Sequence, residues 1–119
     1  MFILYLKPGC PYCKESMELV KKYNLKYNFI TENYADKREI LKKKHNMSTF
    51  PQIFYLHNDT RYKIGGNTEL KKKLNYCIKL GNSIQNNNLS LDLNITKNIF
   101  KNKLNTTKSK KLNKLIKIS

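Results

Sequence analysis

Phe2-Ile3-Leu4-Tyr5-Leu6-Lys7-Pro8-Gly9-Cys10-Pro11-Tyr12-Cys13 is the stretch that decides the architecture of this 119-residue chain. Five apolar, β-favouring residues run into a Lys-Pro-Gly loop, so Phe2–Leu6 reads as a buried strand. Pro11 suits the first position of a helix capped at Cys10, because the N–H that proline lacks is one a helix start leaves unpaired anyway. Cys13, Met17 and Val20 then recur at i, i+4 and i+7, which is one helical face. The helix is expected to end near Asn24, and Lys26–Ile30 reads as a second strand. Two strands joined through a helix lie parallel, with a right-handed crossover.

Downstream, Ala35–His45 reads as a lysine-rich helix. Gln52–His57 is a strand, Asn58-Asp59-Thr60 a turn, and Arg61–Ile64 the hairpin partner. After Gly65-Gly66, the spacing of Leu70, Leu74, Cys77 and Ile78 marks a last helix. The order βαβ–α–ββ–α predicts an α/β fold: a four-stranded mixed sheet flanked by helices, within residues 1–82. Such a domain buries enough surface to fold alone, with little to spare.

Residues 83–119 differ in composition. They are built almost wholly of Asn, Lys, Leu, Ile, Ser and Thr, with eight lysines against one acid, Asp92. They read as a basic, low-complexity C-terminal extension, disordered or partly helical. Asn86-Asn87-Asn88 resembles a linker. Ile95, Ile99, Phe100 and Leu104 fall on one face of a candidate helix, and Leu112, Leu115 and Ile116 on one face of another. This segment's charge of +7 invites weak contact with nucleic acid or an anionic membrane, within a chain of net charge +16. Heavy use of Lys, Asn and Ile, with a single alanine at Ala35, makes part of that charge a matter of overall composition.

The classes excluded are clear. No apolar run approaches the ~18 residues of a membrane span, and Phe2–Leu6 is shorter than the roughly 7–15 residues of a signal-peptide core. Three cysteines do not make a disulfide scaffold. A reducing, cytoplasmic setting is expected.

The chemistry centres on Cys10-Pro11-Tyr12-Cys13. A Cys-x-x-Cys at a strand-to-helix turn in a βαβ unit is a redox motif. Unpaired N–H groups and the helix dipole favour an anion at Cys10. Such placement lowers a thiol pKa from ~8.5 to roughly 3.5–7.5. Lys7 and Lys14 add positive charge. Cys13, one turn on, is close enough to close a disulfide, and it lies on the inward face. The same pair is also half of a zinc site, but zinc needs two more ligands. Cys77, His45 and His57 are scattered singly, so no metal is expected. Cys77 reads as a small buried hydrophobe.

Two further elements accompany the motif. Ser48-Thr49-Phe50-Pro51-Gln52 leads into a strand, and its Thr49-x-Pro51 pattern resembles the cis-proline loop of thioredoxin-like folds. A cis bond there exposes the backbone of Phe50 to an extended peptide. Gly65-Gly66-Asn67-Thr68 allows close backbone approach and then caps a helix, whose N-terminus is a carboxylate site.

Taken together and in this order, the three elements resemble glutaredoxin over residues 1–82. The Pro-Tyr between the cysteines is typical of the dithiol members. The resemblance implies a glutathione-dependent thiol–disulfide oxidoreductase, with Cys10 the nucleophile and Cys13 the resolving thiol. It implies glutathione as electron donor, and protein disulfides and glutathionylated proteins as clients of a monomer. Lys7 and Arg38 match positions facing the glycine carboxylate of glutathione, and Tyr12 packs against the ligand. Thr49, Phe50 and Pro51 supply the backbone edge. Thr68 stands at the position that meets the γ-glutamyl carboxylate, with Gly66 and Asn67 beside it in the glutathione site. Phe50 stands where the family usually has valine, and its bulk is expected to reshape the groove. Met47 replaces a basic residue of some relatives, leaving Lys43 or Lys44 as substitutes. Some relatives hold a [2Fe–2S] cluster between two subunits; Pro11 argues against that here.

Overall fold

The computed structural model describes residues 1–83 and 90–103. The elements are β1 (Phe2–Leu6), α1 (Pro11–Lys22), β2 (Tyr27–Thr31), α2 (Ala35–His45), β3 (Gln52–His57), β4 (Thr60–Gly65), α3 (Asn67–Ser83) and α4 (Ser90–Lys103). The strands form one sheet in the order β2-β1-β3-β4. β1 and β2 run parallel, whereas β1–β3 and β3–β4 are antiparallel. This is the thioredoxin-like mixed sheet expected from the sequence. Boundaries differ slightly: α1 ends at Lys22, β2 runs one residue later, and β4 is one residue longer at each end.

β1 is buried along its whole length because it is central and covered on both faces. Phe2, Leu4 and Leu6 point to one side, where Val20, Leu70, Leu74 and Cys77 share the core. The ring of Phe2 meets Tyr55 edge-on at 4.7 Å. Tyr5 points to the other side and packs with His45 and Phe54.

α2 buries no residue completely, and its end is fixed by polar contacts instead. The fully buried Gln52 side chain donates towards the Met47 carbonyl, so its oxygen faces the His45 ring. His45 Nδ1–H donates to that oxygen at 2.7 Å. Asn46 then stops the helix in the left-handed conformation, with φ 52°. This latch sets where α2 presents Arg38 and Lys42.

α4 packs against α3 and extends the core. Ile95, Ile99 and Phe100 are buried with the residues named above. Tyr55 donates its hydroxyl proton to Asn94 at 2.6 Å and accepts from Asn98 at 2.9 Å. Lys73 pairs with the buried Asp92 at 2.7 Å. The linker at Asn86–Asn88 and the candidate core positions Leu104, Leu112, Leu115 and Ile116 lie outside the described residues.

Candidate redox site

α1 begins at the Cys10 cap, whose sulfur accepts the Cys13 backbone N–H at 3.2 Å. The cysteines form a disulfide, with Cα atoms 5.2 Å apart. Cys13 is buried at 4% exposure, while Cys10 is half-open to solvent. That asymmetry suits an attacking sulfur at Cys10 and a resolving one behind it. The geometry follows from the local sequence: Gly9 turns the chain at φ 64°, and Pro11 takes the first helical position.

Two contiguous clefts open beside Cys10. One, of about 310 Å³, is lined by Lys7, Cys10, Tyr12, Arg38, Lys42, Ser48, Thr49 and Phe50 among others. Three cations and no carboxylate line it, so its field favours an anion. The second, also about 310 Å³, is lined by Tyr12, Thr49, Phe50, Pro51, Gly66, Asn67, Thr68 and Glu69. Tyr12, 63% exposed, stands between the two together with Thr49 and Phe50. The clefts therefore gather Cys10 and the residues that the resemblance assigns to glutathione: Lys7, Tyr12, Arg38, Thr49, Phe50, Pro51, Gly66, Asn67 and Thr68. Cys13 lines a third, more apolar pocket, which shares Lys7, Gly9, Cys10 and Pro11 with the first cleft and adds Leu6, Lys14, Met17 and Thr31.

The Phe50–Pro51 bond is cis, and the Phe50 carbonyl oxygen lies 3.7 Å from Cys10 Sγ. The Phe50 side chain, expected to reshape the groove, is buried among the core residues, 5% exposed, so chiefly its backbone faces the cysteine.

Asn67 also behaves differently from a ligand-facing side chain. It is buried, and its Oδ1 accepts the Ser16 hydroxyl at 2.8 Å. Alongside, Glu15 of α1 pairs with Lys71 of α3. That hydrogen bond with Lys71, aided by one with Asn67, holds the Glu15 pKa below its ordinary value. These contacts clamp the start of α1, and so Cys10, to the start of α3. Sequence inspection missed Ser16 because a serine mid-helix has no signal of its own.

It also missed Glu69 and Lys42. The Glu69 carboxylate accepts the Gly66 N–H at 3.2 Å, the return half of a capping box. The three-residue spacing from Gly66 to Glu69 was a readable sign of it. Lys42, rather than Lys43 or Lys44, joins Lys7 and Arg38 in the first cleft. Of the two glycines, Gly65 is the one that needs to be glycine. It has φ 124°, and an added Cβ would lie 2.8 Å from the Glu69 side chain.

Among the described residues no group of three or more His, Cys, Asp or Glu is placed to hold a metal ion. Nor is any described helix long and apolar enough to cross a membrane.

Comparison with known proteins agrees with this geometry. Residues 2–58 match the glutaredoxin family model. The crystal structure of glutaredoxin 1 from Francisella tularensis complexed with cacodylate is similar, with TM-score 0.57 and 27% identity over 66% of this chain and 95% of that one. The solution structure of glutaredoxin from Brucella melitensis gives TM-score 0.53 and 26% identity, covering 66% of this chain and 82% of that one. No curated protein matches the chain. With a cysteine pair at the head of its first helix and a fold shared with these two structures, the chain is similar to glutaredoxins, and its residues 2–58 match that domain.

Proposed function

We propose that the protein is a glutathione-dependent thiol–disulfide oxidoreductase, reducing glutathione mixed disulfides and protein disulfides in a reducing, cytoplasmic compartment. The observation that carries this reading is the position of Cys10. Its sulfur sits where a cationic cleft, an exposed tyrosine and the Phe50 backbone converge. Glutathione is a net anion with two terminal carboxylates. Lys7, Arg38 and Lys42 suit the carboxylate at its glycine end. The N–H groups at the start of α3 suit the one at the γ-glutamyl end. Its extended backbone suits pairing with Phe50 in the manner of an added strand.

The chemistry then balances without a further oxidant. The Cys10 thiolate attacks the glutathione sulfur of a client mixed disulfide, forming Cys10–S–S–glutathione and releasing the client thiolate. A second glutathione thiolate attacks that glutathionyl sulfur. Oxidised glutathione leaves, and Cys10 returns as the thiolate. With a protein disulfide, Cys10 forms a mixed disulfide to the client. Cys13 then attacks Cys10 Sγ, the client thiol departs, and the internal disulfide remains for two glutathiones to reduce. One copy of the chain holds every group these steps use, so a monomer suffices for catalysis. The catalytic unit lies in residues 1–82.

The test is turnover of a glutathionylated small thiol, coupled to glutathione reductase and NADPH. Full-length protein should turn over. Cys13→Ser should retain this reaction while losing dithiol reduction of protein disulfides. Arg38→Ala should raise the KM for glutathione at least about tenfold, the scale of the roughly 1.5–3 kcal/mol of a hydrogen bond to a charged group. Folded protein that turns over no glutathionylated substrate would refute the reading.

A further inference from the structure

The sheet has two edges, and they are treated differently. β4 carries Arg61 and Lys63 and meets β3 through a register irregularity at Ile53/Phe54. Charged side chains and irregular pairing are the usual ways of stopping an edge from recruiting another strand. β2 has neither. Tyr27-Asn28-Phe29-Ile30-Thr31 has no charge, no proline and no glycine, and no described strand pairs with its outer side. Phe29 and Ile30 are each 51% exposed, on opposite faces of the sheet.

The hydrogen bonds fix which backbone groups face outward. Phe2 N–H donates to the Lys26 carbonyl at 2.9 Å, and Glu32 N–H donates to the Leu6 carbonyl at 2.8 Å. Residues 26 and 32 therefore turn their backbone groups towards β1, and by alternation so do 28 and 30. Tyr27, Phe29 and Thr31 present theirs outward. An antiparallel partner satisfies them when outward-facing residues stand opposite each other.

We propose that a second copy of this chain is that partner, pairing β2 with β2 in antiparallel register about a two-fold axis at Phe29. In this register Phe29 faces Phe29, and Tyr27 faces Thr31 on both sides of the axis. Each of these pairs exchanges two backbone hydrogen bonds. Just beyond them, Lys26 of one copy faces Glu32 of the other, twice. Shifting the register by one outward-facing residue either way loses that complementarity: Glu32 then meets Asn28 or Asn24. Neither Lys26 nor Glu32 makes an ion pair among the described residues, and Lys26 lies near the Met1 ammonium, a like charge. Opposite charges directly across strands, and aromatic pairs, stabilise a sheet. An isologous contact of this kind closes on itself and stops at two copies. The two clefts that bracket Tyr12 contain no β2 residue, so they stay open. Thr31, which lines the apolar pocket next to Cys13, acquires Tyr27 of the second copy as a neighbour.

The test is sedimentation velocity of the full chain with thiols kept reduced, over protein concentrations from about 1 µM to about 1 mM. The expected result is a monomer–dimer equilibrium, weak because the contact is small. Phe29→Lys sets two ammonium groups on the axis at an exposed position, and should weaken dimerisation at least about tenfold. Lys26→Glu should weaken it by a smaller factor, and Lys26→Glu combined with Glu32→Lys should restore it. Circular dichroism confirms that each variant is folded. A monomer at every concentration overturns the proposal, including one in which another segment or a client peptide is found paired with β2. A dimer indifferent to Phe29→Lys overturns it too, as does failure of the double variant to recover.

Discussion

Two cysteines of this chain sit in opposite surroundings. Cys10 caps α1, takes a backbone N–H on its sulfur, and opens onto a cationic cleft. Cys77 lies on α3 under α4, fully buried, with its sulfur 3.6 Å from the Asp92 carbonyl oxygen and Asp92 itself close by. Helix dipole and lysines favour a thiolate at the first position. Burial pushes the Cys77 thiol up to about 11, and the Asp92 charge works in the same direction against a hydrogen bond from Thr96 and the charge of Lys73. The side chain is the same in both places; its placement on a helix end or a helix flank decides whether it is a nucleophile or packing material.

The comparison breaks most visibly at the nucleophile. Cys10→Ser should lower turnover by more than about 10³-fold, the scale of losing an attacking group. Cys77→Ala should leave turnover within about twofold, because the stability scale of one buried thiol does not reach Cys10. Steady-state rates of both variants check this.

The raised Cys77 pKa sharpens the contrast in alkali. A thiol that holds its proton more tightly when folded contributes stability that is complete below its unfolded pKa. That contribution is lost as pH rises through the folded value. Unfolding free energy should therefore fall between about pH 9 and about pH 11, by on the order of 2–3 kcal/mol. Tyr55, whose pKa burial also raises, adds to the same trend. Cys77→Ala should remove much of the slope in urea titrations across this window.

A smaller effect is expected at the cover over Cys77. A Cβ on Gly81 would overlap the Phe100 ring. Gly81→Ala should cost roughly 1–3 kcal/mol through overpacking, and should speed alkylation of Cys77 while sparing turnover. On the Cys10 side, Ser16→Ala removes the buried hydrogen bond to Asn67. A loss of about 1–2 kcal/mol is expected in denaturant unfolding, since the Asn67 oxygen is left without its donor.

Much of this was legible in the sequence because local signals and tertiary structure agreed. The apolar run before Cys10, the proline behind it, and the turn at Asn58-Asp59 each have one dominant reading, and the strand order followed. The cis bond at Phe50–Pro51 was legible only beside the cysteine motif. What sequence could not supply was the direction of side chains set by packing between distant elements. Phe50 turned into the core, Asn67 turned to Ser16, and Lys42 rather than its lysine neighbours reached the cleft. Each depends on where α2 or α3 is seated, which is fixed by contacts such as His45 with Gln52 and Glu15 with Lys71.

The most direct measurement is intact-mass and peptide mapping of the native Cys13→Ser variant after brief exposure to oxidised glutathione at neutral pH. The expected product carries a single glutathionyl group, on Cys10, with Cys77 unmodified. Modification of Cys77 in the folded protein, or an unmodified Cys10, would contradict the assignment of Cys10 as the glutathione-reactive thiol.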